Sequence, residues 1–258
     1  MTRPAAPRSW WALSAPLAAL AAWEAAAGLG WISPLFFPAP TAIARALQRM
    51  LSSGDLPPHV AISLQRLGLG FALGGGAGLL LGWAMGISSR LRAAVDPWVA
   101  ATHPIPKIAV LPLILVLFGI GEASKVVSIA LAAFFPMAIN ALTGVRLIDA
   151  TYFDVARNYG GSRWAVLTQV VVPGSLPAVL AGARLALNAG LVVGLAVEAL
   201  AAPTGLGRRL WFAWQTLRTE ELYAGLVAIA AIGIGLNAGL TWCAARLAPW
   251  RAGQEGGG

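Results

Sequence analysis

Asp149-Ala-Thr151-Tyr-Phe-Asp154-Val-Ala156-Arg157-Asn-Tyr159-Gly160-Gly-Ser162-Arg163-Trp164, continuing through Val170-Val-Val172-Pro173 to Pro177, is the one long polar interruption in a chain otherwise composed for lipid. Thr151 followed three residues later by Asp154 has the form of a capping box, which predicts a short helix beginning at Thr151. Gly160 is placed to end it, and Ser162 to cap a second short helix that Pro173 stops. Two short capped helices held between apolar spans make an exposed elbow, a shape suited to docking a soluble partner.

The rest of the chain sets that elbow in a membrane. Of 258 residues, 58% are hydrophobic and only 11% charged, a composition outside the range of soluble domains. Six spans of about 20 residues fit the length. The net charge of +8 does not indicate nucleic-acid binding, because the arginines are scattered between apolar runs and form no basic face. Cys243 is the single cysteine, which excludes a disulfide framework or a cysteine metal site within one chain.

The elbow resembles the cytoplasmic loop signature of binding-protein-dependent ABC importer permeases: Glu-Ala-Ala, three residues, Gly, nine residues, then Ile-x-Leu-Pro. Asp154-Val155-Ala156 stands for the first element, Gly160 for the glycine, and Val170-x-Val172-Pro173 for the ending. Asp replaces Glu, and Val replaces the first Ala, the Ile and the Leu. The resemblance runs over roughly residues 15 to 250. Further matches are Trp23-Glu24, Pro38-Ala-Pro40-Thr41, Phe118-Gly-Ile-Gly121, and Glu198 followed by Gly205-Leu-Gly207, the last resembling the nitrate, sulfonate and taurine branch.

The resemblance implies an all-α membrane protein of the type I importer permease fold, with six transmembrane helices and a cytoplasmic coupling loop at 149–174. The permease domain covers 10–248, and short tails at 1–9 and 249–258 lie with both termini in the cytoplasm of a bacterial inner-membrane protein. It implies a homodimer of permeases, two cytoplasmic ATPase subunits and a periplasmic solute-binding protein. No cofactor belongs to this chain; ATP and Mg are expected in the partner ATPase. The solute is a small one, such as a sulfonate, nitrate, taurine or similar anion. Asp154, Ala156, Gly160 and Pro173 take the coupling role, with Arg157, Tyr159 and Arg163 as contacts.

Residue by residue, the chain bears its own signals. Trp10-Trp11 and the Ala/Leu run to Gly30 exceed a signal-peptide core and read as an uncleaved first span. Glu24 within it is read as a structural hydrogen-bonding group. From Trp31 to Leu67 the chain leaves lipid, with Thr41 capping an amphipathic helix to Leu51 and Pro57-Pro58 in a turn. His59 is a lone histidine with no second ligand near it. Gly70, Gly74, Gly78, Gly82 and Gly86 recur every four residues along one helix face, a stripe on which another helix can approach. A nucleotide cradle would need a preceding strand, and there is none.

Val95 to Ile120 is broken by Pro97, Pro104, Pro106 and Pro112, and a broken helix at membrane depth is tolerated where it lines a water-filled route. The pathway candidates are Pro104, Pro106, Lys107, Asn140, Asn188 and Glu198. Lys107 can attract an anionic solute, snorkel, or pair with an acid. Asn140 is placed for a bond between helices, and Asn188 should face the bundle interior. The segment from Pro203 to Arg218 is too polar to cross and is placed at the outer interface. With the loop inside, nine cations lie inside and seven outside, the seven being Arg45, Arg49, Arg66, Lys125, Arg208, Arg209 and Arg218. No nucleotide motif, catalytic triad or metal constellation is present, so the chain is not an enzyme. An ion-coupled secondary carrier is the alternative, disfavoured because no repeat is found and Glu24 and Glu198 lack evident ionisable partners. A purely structural membrane subunit would need neither prolines along a pathway nor a docking elbow.

Overall fold

The computed structural model describes residues 11–247, with side chains from 14 to 246. Arg3, Arg8, Arg251 and both expected tails therefore lie outside the described residues. Within them the fold is helical throughout, with no strand. The helices are α1 (Trp11–Gly28), α2 (Pro40–Ser52), α3 (Leu56–Gly70), α4 (Gly76–Ile87), α5 (Ser89–Thr102), α6 (Leu111–Phe118), α7 (Glu122–Arg146), α8 (Ala150–Asn158), α9 (Arg163–Val166), α10 (Val172–Ala201), α11 (Leu206–Gln215) and α12 (Thr219–Leu247). Four continuous stretches are long and apolar enough to cross a bilayer: Leu56–Ile87, Glu122–Arg146, Arg163–Ala201 and Thr219–Arg246. A fifth forms if α5 and the Lys107–Phe118 segment, bent by 90°, count as one broken span. α1 is a helix of 18 residues but is not among them, so four or five of the expected six spans are recognised by length and apolarity among the described residues. Glu24 and Pro16 dilute that first helix.

The core is α7 against α10 on one side and α4 on the other. The glycine stripe makes this approach possible. A Cβ added at Gly74 would collide with the Ala130 carbonyl, at Gly78 with the Phe134 carbonyl, and at Gly82 with the Ala138 carbonyl. Gly70 and Gly86 meet the Ile129 and Val145 side chains in the same way. Backbone lies against backbone from Gly74 to Gly82, about two turns, so dispersion acts there where no side chain intervenes. Because partner numbers rise with stripe numbers, α4 and α7 run parallel. α10 runs antiparallel to α7, as Gly182 against Asn140 and Gly194 against Ile129 require.

Several boundaries differ from the sequence reading. The second span begins at Leu56, twelve residues before the expected re-entry, because Pro57 and Pro58 occupy a first helical turn, where a missing N–H costs nothing, rather than a turn outside. α2 starts at Pro40 behind Ala39 without a side-chain cap. Thr41 is instead drawn to Glu24, donating its N–H at 3.0 Å and its hydroxyl at 2.7 Å, so Glu24 has the structural role expected of it.

Pro173 does not stop a helix. Arg163–Ala201 is one helical run of 39 residues. A π-helical turn at Leu167–Val171 shifts the hydrogen-bond register just before the proline, so its ring and missing N–H fall where the ladder is already displaced.

Candidate functional site

Three polar features stand out against the apolar bundle, and α7 and α10 join them. At one end α7 leads into the elbow and α10 leaves it; halfway along lies a cavity; at the other end lies a buried ionic cluster.

The elbow consists of α8 and α9. Its first cap is Asp149, not Thr151. Asp149 has extended backbone, and its carboxylate accepts the Thr151 N–H at 2.8 Å. Asp is the stronger N-cap type, and here it stands at the residue whose backbone leads into the helix. Bonds from the Thr151 hydroxyl and then its amide hold the Asp149 carboxyl below its usual range. A depressed carboxyl contributes its stabilisation above the unfolded-state value and loses it as pH falls through the folded one, so the cap is complete at neutral pH. Asp154, released from capping, lies 3.7 Å from Arg157 as an exposed pair one turn apart, an arrangement that contributes little.

The other two predicted signals hold. Gly160 has φ +69° and ends α8, and the Ser162 hydroxyl accepts the Ala165 N–H at 3.2 Å to start α9. Gly161 is also constrained, because its added Cβ would meet the Ala156 carbonyl oxygen at 2.6 Å. Tyr159 is 88% exposed and Trp164 71%. Tyr152, Arg157 and Arg163 are exposed beside them. The elbow is thus rigid in backbone and bare on its surface.

The opposite end is organised by Arg66, which is 1% exposed. Nε and Nη2 donate to the two Glu122 oxygens at 2.6 and 2.7 Å. Nη1 donates to Glu198 at 2.9 Å and to the Thr204 carbonyl at 2.7 Å, and Nη2 reaches the Thr204 hydroxyl at 3.3 Å. All five guanidinium N–H groups are used. Glu198, also buried, accepts further bonds from the Ser63 hydroxyl at 2.8 Å and the Gly207 N–H at 3.0 Å. His59 accepts the Gly205 N–H at 3.0 Å, which gives the lone histidine a structural role. Lys125, likewise buried, holds the carbonyls of Ile120 and Gly121. The cluster therefore ties α3, α7, α10, the turn into α11 and the end of the broken span.

These bonds overturn one expectation. Glu198, a pathway candidate by sequence, lies off the wall of the cavity described below and is a buried partner of Arg66. It does have an ionisable partner, contrary to the sequence reading. Arg66, Lys125 and Arg209, which the sequence places on the outer side, all have internal partners: Arg209 pairs with Asp55 and with Glu221, at 3.0 Å from the latter. Arg66 carried a readable signal, since it lies four residues before Gly70 and so extends the glycine register by one step.

Between the two ends is a cavity of about 450 Å³. His103, Lys107, Phe135, Asn188, Ala189 and Val192 contribute to its wall, at the break of the bent span and near the midpoints of α7 and α10. Of the predicted pathway residues it brings together Lys107 and Asn188. Pro104 and Pro106 form the bend outside it. Asn140 is not on its wall and bonds within its own helix, to the Pro136 carbonyl one turn earlier at 2.8 Å, rather than to a neighbour.

Lys107 has a use the sequence did not suggest. Its ammonium donates to the carbonyls of Thr102, His103 and Ile105 at 3.1, 2.8 and 2.9 Å and lies 4.1 Å over the Phe135 ring. Three donors meet three acceptors, so Lys107 closes the helix break itself. Phe135 and His103 were missed as wall residues because their proximity is set by the fold. Among the described residues no group of three or more His, Cys, Asp or Glu side chains is placed to hold a metal ion.

Residues 74–253 match the family model described as binding-protein-dependent transport system inner membrane component. The chain is 38% identical over 236 residues to the taurine transport system permease protein TauC of Escherichia coli K12, covering 90% of this chain and 86% of that one. It is 34% identical over 241 residues to a putative aliphatic sulfonates transport permease protein SsuC of Bacillus subtilis 168, covering 93% and 87%. A nitrate import permease protein, NrtB of Leptolyngbya laminosa, is 29% identical over 74% of this chain and 68% of its own. Among solved structures, the MetNI methionine ABC transporter aligns with a TM-score of 0.60 at 18% identity, over 81% of this chain and 98% of that chain, a likeness of fold.

Proposed function

The chain belongs to the binding-protein-dependent inner membrane components, the multi-pass permeases of ABC transporters, and from that premise we propose how it works. Two copies form the translocation pathway, each with α1 as a sixth span and both termini in the cytoplasm. Two cytoplasmic ATPase subunits, which bind ATP and Mg, receive the α8–α9 elbows. A periplasmic binding protein delivers the solute, a small anion of the sulfonate, taurine or nitrate kind. Asp154, Ala156, Gly160 and Pro173 couple the motor to the spans, and Arg157, Tyr159 and Arg163 make the contacts.

The observation that carries this reading is the elbow itself: two capped turns, stiff in backbone and exposed in side chain, joined directly to α7 and α10. Force applied there reaches the far end of both helices, since a packed core does not absorb small displacements. The orientation rests on the family resemblance of the elbow rather than on charge. The count with the elbow inside is nine inner cations against seven outer ones, a weak positive-inside bias, and two of the outer seven, Arg66 and Lys125, are buried in the cluster.

Reconstitution tests the reading. Proteoliposomes holding this chain with its cognate ATPase and supplied with the binding protein should take up the solute only with ATP. Uptake should persist when a proton ionophore is added. ATP-independent uptake that an ionophore abolishes would instead favour an ion-coupled carrier.

A further inference from the structure

We propose that His59 is an acid-sensitive latch: its neutral imidazole holds the start of α11 in place, and its protonation from the outer side of the membrane releases that helix. The permease reading above serves only to place the latch on the outer side. The latch itself stands on the geometry of α3, α10 and α11.

α11 (Leu206–Gln215) has no cap from its own residues. Gly205 precedes it with φ +118° and no side chain to offer. A helix start leaves amide N–H groups without intrahelical acceptors, and three of them, on Gly205, Leu206 and Gly207, are taken by other helices. His59 Nδ1 accepts the first at 3.0 Å, the Ser63 hydroxyl oxygen the second at 2.9 Å and the Glu198 carboxylate the third at 3.0 Å. His59 and Ser63 stand one turn apart, so one face of α3 caps another helix. The same turn gives the Thr204 carbonyl to Arg66, and its hold on α3 is therefore part of what keeps the outer cluster together.

Of the three acceptors His59 is the one that can reverse its sense. Ser63 carries no titratable group and Glu198 is bonded to the Arg66 guanidinium, whereas an imidazole gains its second proton in the mildly acidic range. To accept at Nδ1 the ring must carry its proton on Nε2. A second proton goes to Nδ1, where it meets the Gly205 N–H, donor against donor. The bond and the imidazolium therefore exclude each other. The helix start adds to the conflict, because its partial positive charge repels a cation placed against it.

The surrounding charges offer the imidazolium no compensation. Asp55, just before α3, lines the same outer pocket of about 470 Å³ as His59 and Thr204, and it is bonded to Arg209. Glu198 of α10 and Glu122 of α7 are held by Arg66, and Glu122 also by Lys125. Glu221 of α12 is shared by Arg209 and Arg218, and Arg208 adds a further cation on α11. Each of these carboxylates already has its cation. The pocket gives protons a route to the half-buried ring. Since only the released form takes up the proton, the latch is closed at neutral pH and opens as the outer pH falls.

Hydrogen–deuterium exchange of the peptide spanning residues 203–210, in the permease–ATPase complex, reads the latch directly. Lowering the pH from about 7.5 to about 5.5, across the histidine range, should speed exchange there about ten-fold after correction for its intrinsic pH dependence, the factor one hydrogen bond supplies. The α8 peptide should keep its corrected rate. His59→Asn, whose Oδ1 keeps an acceptor at the place of Nδ1 and does not titrate, should hold the slow rate at both pH values. His59→Leu, with no acceptor, should show the fast rate at both. An acid response in either variant equal to that of the unaltered protein, or no response in the unaltered protein, overturns the proposal, and either variant decides the matter alone if the other fails to fold. The permease reading fails separately, through ATP-independent uptake, and leaves the exchange result untouched.

Discussion

Arg66→Met is expected to be among the most damaging single substitutions in the chain, with little permease accumulating in the membrane. The reason is asymmetry. Removing the guanidinium leaves Glu198, 2% exposed, as an uncompensated buried charge, and strands the Thr204 carbonyl. Breaking a buried pair from one side costs about 3–5 kcal/mol, a large part of the roughly 5–15 kcal/mol by which folded proteins are stable. Glu122, whose side chain is 57% exposed and retains Lys125, is little affected. Adding Glu198→Gln should therefore restore most of the loss, because the amide oxygen still accepts from Ser63 and Gly207 while no charge remains. Detergent-extracted thermal stability and membrane abundance provide the readout. Normal abundance of Arg66→Met, or no recovery in the double variant, would show that the cluster is not holding this end of the bundle.

Gly160→Ala should cut ATP-driven uptake by roughly ten-fold while leaving the permease folded and abundant. Nothing lies within 4 Å of an added Cβ at this position, so no clash arises. The cost is purely conformational: φ is +69°, where an L-residue loses about 1–2 kcal/mol, enough to depopulate the elbow's present form by about ten-fold. Gly160→Asn, which tolerates that backbone region, should retain most activity. Gly160→Arg adds charge and bulk at the exposed tip and should uncouple ATP hydrolysis from uptake outright. If Ala, Asn and Arg behave alike, the elbow's backbone geometry does not matter for transport.

What the sequence disclosed and what it hid follow one physical division. Signals carried by neighbouring residues were legible: the four-residue glycine stripe, the positive φ at Gly160, the Ser162 cap and the proline break before Lys107. Signals that depend on distant partners were not. Arg66 meets Glu122 and Glu198 across 56 and 132 residues, so in the sequence it looked like a loop charge and Glu198 like a pathway carboxylate. Where two local signals competed, their strengths decided: Asp149 took the cap from Thr151, and Thr41 left its own helix for Glu24. Pro173 was misread because the π turn that accommodates it has no sequence signature beyond the proline itself.

The cavity shows the same division. Lys107 and Asn188 were legible as polar residues stranded in apolar spans. Their different fates, one donor set fully spent and the other free, came from carbonyls exposed by the bend and from Asn237 on α12.

The account turns on where the elbow points and what it touches. A single thiol at Tyr159→Cys in a Cys243→Ser background, tested with a membrane-impermeant maleimide and then with a short bifunctional crosslinker, measures both. Labelling from the cytoplasmic face alone, with a crosslink to the ATPase in the ATP-active complex, is the expected result. Labelling from the periplasmic face, or an active complex in which Tyr159→Cys never reaches the ATPase, would contradict it.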